Sequence, residues 1–345
     1  MRTPECVPLD AAATVDRLPQ SMPAILSRMS DAPARPDSET RRLLEPRRLL
    51  VQVIFWVIGL GLLTWLIIRA IETGDWSRLR AAEPHLIAML IGATVVSTLL
   101  NGVTFWISIR SVRRVRLLDM QAVNLLGNLL NYAPIRAGAI ARVLYHHRVD
   151  GLGLLQIGAW FGFIGYILVL GVASCLTATL IHDAFDWIWF ALVTGQMAFG
   201  ALALQALAGV PLIVRHGRGI HRMARDHLAL WSLVVLRLAD IAMFTVRMAA
   251  ALWILGIELP MTHIVALAMV ALAASLIPFG RVGFREFCVA AAGARLGTLS
   301  IEGDLPWEQL ALIESAGEAV VFIVGGSLAF FWVRRRWREA SPIRP

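Results

Sequence analysis

The chain contains no lysine: all 32 of its basic residues are arginine. That excludes Schiff-base chemistry and lysine nucleophiles. Charge of either sign is scarce, at 16% of 345 residues, where a soluble protein carries about a quarter. The shortfall excludes an ordinary soluble domain. Cysteine is rarer still: Cys6, Cys175 and Cys288 show no metal or redox spacing, and the latter two fall in apolar stretches as small packed hydrophobes. No Ser-His-Asp, zinc-protease or nucleotide-binding motif occurs. Gly151 and Gly153 lack the third glycine and flanking strand of a dinucleotide fold. His146, His147, His216, His221 and His227 have no carboxylate or cysteine partners at ligand spacing, and read as solvated or in contact with lipid headgroups. No catalytic residue, metal or cofactor is expected.

Apolar residues are abundant, at 58%. Several runs exceed the roughly 20 helical residues that cross a bilayer core of about 30 Å. The fold expected is all-α, a polytopic integral membrane protein with about six full spans, at 49–71, 85–109, 153–181, 187–214, 228–257 and 309–333. A net charge of +8 raises nucleic acid as a partner. The arginines instead sit in short loops beside apolar runs, as the positive-inside rule requires, so no nucleic-acid partner is expected. Arg41, Arg42, Arg47 and Arg48 place the N-terminus in the cytoplasm, and Arg334, Arg335, Arg336 and Arg338 place the C-terminus there. The location implied is a bacterial inner membrane. Residues 1–48 hold seven of the fifteen prolines and lack the basic-then-apolar order of a signal peptide; they read as a disordered cytoplasmic tail. Residues 49–335 form the transmembrane domain and 336–345 a short cytoplasmic tail. Trp76, Trp187, Trp189, Trp307 and Trp332 fall near span ends as interface anchors.

Two further apolar stretches are broken by proline, glycine and arginine, one at Asn131–Arg142 and one at Ile277–Glu286. Lipid cannot hydrogen-bond free backbone, so such breaks survive only inside protein or against a wet cavity. The first stretch, 119–148, begins and ends at cytoplasmic loops. The second, 262–298, begins and ends outside. Each is therefore expected to be a re-entrant helical hairpin, two ordinary tilted short spans being the alternative. The units 85–181 and 228–333 then form an inverted repeat, which puts a binding site near the midplane where they meet.

At these breaks the chain resembles the lysylphosphatidylglycerol synthase transmembrane-region family, also called UPF0104. That family's first-half pattern of Asn, Pro, Gly and Arg is met by Asn131, Pro134, Gly138 and Arg142. Its second-half Pro-Gly-Gly-x-Gly-x-Arg-Glu signature is met by Gly280, Gly283, Arg285 and Glu286, with Arg281 in place of the second glycine and Pro278 one place back. An acidic-arginine motif is replaced by Trp160, Phe161 and Gly162. The resemblance covers roughly residues 50–335 and is specific at the two hairpins. It implies a lipid flippase or export factor, with members linked to hopanoid or glycolipid pathways, and here without the soluble aminoacyl-transferase domain of the synthases.

Gln121, Asn124, Asn128 and Asn131 recur on one helical face. They suit either inter-helix hydrogen bonds or the wall of a hydrated groove. Arg237, Asp240 and Arg247 share a face of one span, and Glu314 and Glu318 lie one turn apart on another. Each charge costs about 2.5–3.5 kcal/mol at a helix centre on insertion scales. Arg237 can pair with Asp240, while Arg247 or Arg285 can pair with the two glutamates. This is either a packing network or a charged cavity in which Arg136, Arg142, Arg281 and Arg285 hold a lipid phosphate, which guanidinium suits. Gly138, Gly280 and Gly283 permit tight turns, and half-helices starting after the breaks aim amides at an anion. The function expected is movement of an anionic or glycosylated lipid headgroup across the membrane. Its partners are membrane lipids (anionic phospholipid, hopanoid or glycolipid), with a lipid-synthesis enzyme as a further candidate. The alternatives are a membrane-embedded lipid or glycosyl transferase and a non-catalytic scaffold.

Overall fold

A computed structural model describes residues 46–74, 76–133, 137–211, 219–276, 282–300 and 306–340. The chain divides into a unit of residues 1–49, described only from Pro46, and a unit of residues 50–345. Every regular element among the described residues is a helix. They are α1 (Pro46–Thr73), α2 (Trp76–Arg80), α3 (Pro84–Ile109), α4 (Leu117–Leu130), α5 (Ala137–Arg148), α6 (Leu154–Ile181), α7 (Trp187–Leu207), α8 (Ile220–Arg225), α9 (His227–Ile254), α10 (Met261–Ala274), α11 (Phe284–Ser300) and α12 (Trp307–Glu339).

Six helices are long and apolar enough to cross a membrane: Leu50–Glu72 within α1, and α3, α6, α7, α9 and α12. Their number and composition suggest a multi-pass membrane protein. A helix satisfies all of its own backbone groups, which lipid requires. Three buried threonine hydroxyls are satisfied in the same way, Thr94, Thr98 and Thr104 donating to the carbonyl four residues back at 2.8 Å. Large apolar side chains such as Phe199, Leu228 and Leu328 stay exposed, as a lipid-facing surface allows.

The helix ends follow local chemistry. Asp186 accepts from the amides of Ile188 and Trp189 to cap α7, and Asp226 accepts from Ala229 to cap α9. α7 stops at Leu207, short of the predicted 214, because Gly209 and Pro211 follow. α12 instead runs past the predicted 333 to Glu339. Glu339 pairs there with Arg335 at 2.9 Å and Arg336 at 3.0 Å on the same helical surface.

The most extensive helix contact joins α3 to α9. Ala250 of α9 clusters there with Leu90 of α3, and Ser97 of α3 bonds Asp240 of α9. The short helices pack crosswise: α4 packs on α12, while α10 packs on α6. Leu125 and Leu129 of α4 lie against Gly325 and Gly326 of α12, where no side chain stands in the way. α1 lies beside the start of α11 through Phe55 and Phe284, whose ring centroids are 6.1 Å apart.

Candidate functional site

A cavity of about 400 Å3 lies among α3, α4, α5, α6, α9, α10 and α12. Arg142, Arg237 and Arg247 bring guanidinium groups to its wall, and Glu318 brings a carboxylate. Asn101, Asn128 and Asn131 add amides, and Phe105, Phe161, Phe244 and Phe322 add rings. Such a mixture of apolar wall and a few convergent polar groups is what a small-molecule site requires.

The amide face of α4 divides in two. Gln121 and Asn124 turn to α3, donating to the carbonyls of Leu99 at 2.8 Å and Thr98 at 3.1 Å. They are inter-helix bonds. Asn128, one turn on, and Asn131 line the cavity. The first two amides thus make inter-helix bonds, and the last two stand at a cavity.

Arg142 reaches the same place from α5. Its Nη2 donates to Asn128 Oδ1 at 2.6 Å and to the Asn124 carbonyl at 3.1 Å. Its guanidinium also lies 5.5 Å from the centroid of the Phe105 ring. α4 and α5 cross at glycines. A Cβ on Gly138 would collide with the Gly127 carbonyl and Asn131 Oδ1, and one on Gly127 would collide with the Arg142 side chain. Gly138 thus serves close backbone approach, and Arg142 passes over the gap that Gly127 leaves.

The charges of the second half form two closed groups. Asp240, 1% exposed, accepts from Arg237 and from Ser97 of α3, both at 2.6 Å. Glu314 and Glu318 each accept from both Arg247 and Arg285. The Arg247–Glu318 bond is 2.8 Å, and all four side chains are at most 2% exposed. This ring of two guanidiniums and two carboxylates fastens α9, α11 and α12 together. It also removes the repulsion that two adjacent carboxylates would suffer. Arg247 additionally lies 4.6 Å from the Phe244 ring centroid.

Arg285 therefore belongs to the ring, not to the cavity wall. Glu286 also has local duties: its carboxylate accepts from the Gly283 amide at 2.7 Å and from the Ser315 hydroxyl at 2.6 Å. The first of these bonds is half of a capping box at the start of α11. Gly283 has φ +83°, and a Cβ there would strike the Gly59 carbonyl of α1, so only glycine fits without strain. Pro134, Arg136, Pro278, Gly280 and Arg281 lie outside the described residues.

Four cavity residues on α3 escaped the sequence reading, Thr98 and the evenly spaced Ser97, Asn101 and Phe105. For the last three, a spacing of four within an apolar span was the available signal. Phe161, standing where the resemblance expects an acidic-arginine motif, supplies a ring. A second buried polar group lies away from the cavity. Asp119, 2% exposed, accepts from Trp332 at 2.9 Å and from Arg336 at 3.2 Å, tying α4 to α12. His146 is 1% exposed and bonded to Asp150 at 2.6 Å, not solvated as its basic surroundings suggested. Among the described residues no group of His, Cys, Asp and Glu is placed to hold a metal. No protein-family model, curated protein or solved structure matches the chain.

Proposed function

We propose that this protein moves an anionic or glycosylated lipid headgroup across a bacterial inner membrane, the headgroup passing through the cavity while the acyl chains stay in the bilayer. One observation carries the reading. Three arginines and three asparagines line a cavity among helices apolar enough to span a bilayer. Intramembrane ionisable groups are costly, and they mark substrate paths in transporters.

Two features support the inverted-repeat part of the proposal. α4, α5, α10 and α11 have 14, 12, 14 and 17 residues, or about 18–26 Å of helix. That is short of the roughly 30 Å core, as re-entrant hairpins would be. The crosswise packing of α4 on α12 and α10 on α6 is what exchange between two related units produces. The resemblance at Asn131, Gly138, Arg142, Gly283, Arg285 and Glu286 points the same way. Arginine placement sets both termini in the cytoplasm.

Arg142 meets the headgroup phosphate in this mechanism, while Arg237 and Arg247 on the same wall are held by carboxylates. Asp240, Glu314 and Glu318 balance arginines, and their engagement favours that role over the general base a transferase needs. With no nucleotide-binding motif, net movement draws on a gradient or a downstream sink. Membrane lipids are the partners, and a lipid-synthesis enzyme is a candidate source or consumer. Reconstitution in liposomes with labelled lipids tests the proposal. Wild type should exchange anionic lipid between leaflets well above empty liposomes, and Arg142→Gln should approach the empty rate. Equal exchange in all three sinks it.

A further inference from the structure

A second pocket, of about 720 Å3, lies where α3 ends and α9 begins. Trp106 and Ile107 of α3, Arg110 and Arg114 of the chain that follows it, and Asp226 and Leu228 at the start of α9 line it. It shares no lining residue with the first cavity. Two local bonds shape the turn after α3. Trp106 Nε1 donates to the Val115 carbonyl at 2.9 Å, and the Arg113 amide donates to the Ile109 carbonyl at 2.8 Å. The Arg110 guanidinium lies 5.5 Å from the centroid of the Trp106 ring.

The charge of this pocket differs in kind from that of the first. Arg110 and Arg114 are exposed, and neither pairs with a carboxylate among the described residues. Asp226 is the one acid among the described lining residues, and its Oδ1 accepts from the Ala229 amide at 3.0 Å. Two cations against one anion leave the described wall one unit positive. The surroundings add to it. Residues 110–116 hold four arginines and no acid. A Cβ on Gly219, just before α8, would stand 3.6 Å from Val112, which sets the exposed Arg222 and Arg225 of α8 in the same neighbourhood.

Depth narrows the ligand. α3 and α9 are both long and apolar enough to span a bilayer. In a bilayer the place where one ends and the other begins falls in the headgroup layer, which suits the apolar ring and polar edge of Trp106. Ile107 and Leu228, the latter 78% exposed, give the wall an apolar flank. Basic pockets between membrane helices bind anionic headgroups, and guanidinium holds phosphate by paired hydrogen bonds. We infer that this pocket binds the phosphate of an anionic phospholipid between Arg110 and Arg114, with an acyl chain along Ile107 and Leu228. The lipid is a resident one, separate from any lipid that passes through the first cavity. It touches both helices of the most extensive contact in the fold, so its binding reads out as thermal stability.

The test melts the purified full chain in detergent with added phosphatidylglycerol, phosphatidylcholine or inorganic phosphate. Phosphatidylglycerol should protect wild type with an affinity at least about tenfold above either of the others. Arg110→Gln combined with Arg114→Gln should lower that affinity about tenfold. Each single variant should lower it about threefold, which keeps the test open should the double variant not fold. Arg113→Gln combined with Arg116→Gln removes equal charge from the same segment but off the wall, and should keep the protection. Arg142→Gln should keep it too. Equal protection by phosphatidylcholine overturns the inference, and so does equal loss in the two double variants, the mark of general charge attraction. Equal protection by inorganic phosphate overturns the lipid as its source. Protection lost in Arg142→Gln and kept without Arg110 and Arg114 puts the lipid in the first cavity, which also overturns the second site. Protection that depends on Arg110 and Arg114 in a protein that exchanges no lipid between leaflets upholds this site and removes transport.

Discussion

Arg142 and Arg285 each follow a break in an apolar stretch, one in each half of the chain, and the structure uses them differently. Arg142 donates to an amide and a backbone carbonyl, lies over a phenyl ring, and lines the cavity. Arg285 is 2% exposed and engaged by two carboxylates from α12. The same guanidinium lines a cavity in one place and is a fastener in the other. What separates them is the neighbouring helix: α4 offers Asn124 and Asn128, whereas α12 offers Glu314 and Glu318. Carboxylates cancel the charge of the arginine they hold.

The largest effect expected on that contrast comes from breaking the ring. Arg285→Ala leaves buried carboxylate charge short of a partner and should cost about 3–5 kcal/mol, read as loss of folded, monodisperse protein in detergent. Arg285→Met combined with Glu318→Leu removes one charge of each sign and should recover most of that loss. No recovery would mean that the ring is not a self-contained group. Next comes Gly283→Ala, which forces a Cβ into the left-handed region at φ +83° and against Gly59. It should cost about 1–3 kcal/mol in thermal unfolding, with lipid exchange unchanged in what folds.

Arg142→Gln sharpens the comparison from the other side. Stability should change little, and lipid exchange should fall about tenfold or more, equivalent to at least about 1.4 kcal/mol in barrier. A large stability loss with normal exchange would reverse the assignments of Arg142 and Arg285. The smallest effect expected is at Asp186, the cap of α7. The hydrogen bond from His182 holds this carboxyl below its usual range, with the amides of Trp189 and Ile188 assisting. A depressed folded pKa stabilises above the ordinary carboxylate value and is lost as pH falls through the folded value. Asp186→Asn should therefore melt slightly below wild type at neutral pH. The gap should close below about pH 4, followed by melting temperature against pH.

Much of this was legible in one dimension, and the reason differs by residue. The Arg237–Asp240 pair is local, three residues apart on one helix, so spacing alone proposed it. Glu314 and Glu318 announced a need for arginine by being adjacent and apolar-flanked, and Arg247 and Arg285 were named as candidates. That both arginines bridge both glutamates depends on how α9, α11 and α12 approach. The amides of α4 show the limit most clearly. Gln121, Asn124, Asn128 and Asn131 share a periodicity, yet α3 takes the first two and the cavity the last two. Periodicity gives a face, not what stands opposite it.

The amino-acid sequence by itself determined that the chain is helical and made for a lipid surround, because long apolar runs must satisfy their own backbone groups wherever water is absent. It also determined that its charges must be paired or functional, since burying an isolated charge is too costly. Only the tertiary structure decided which charges are fastened and which face the cavity. It also decided that Ser97, Asn101 and Phe105 belong to the wall and that Glu286 caps its own helix. Those outcomes turn on distances between groups far apart in the chain, and such distances exist only once the helices have packed.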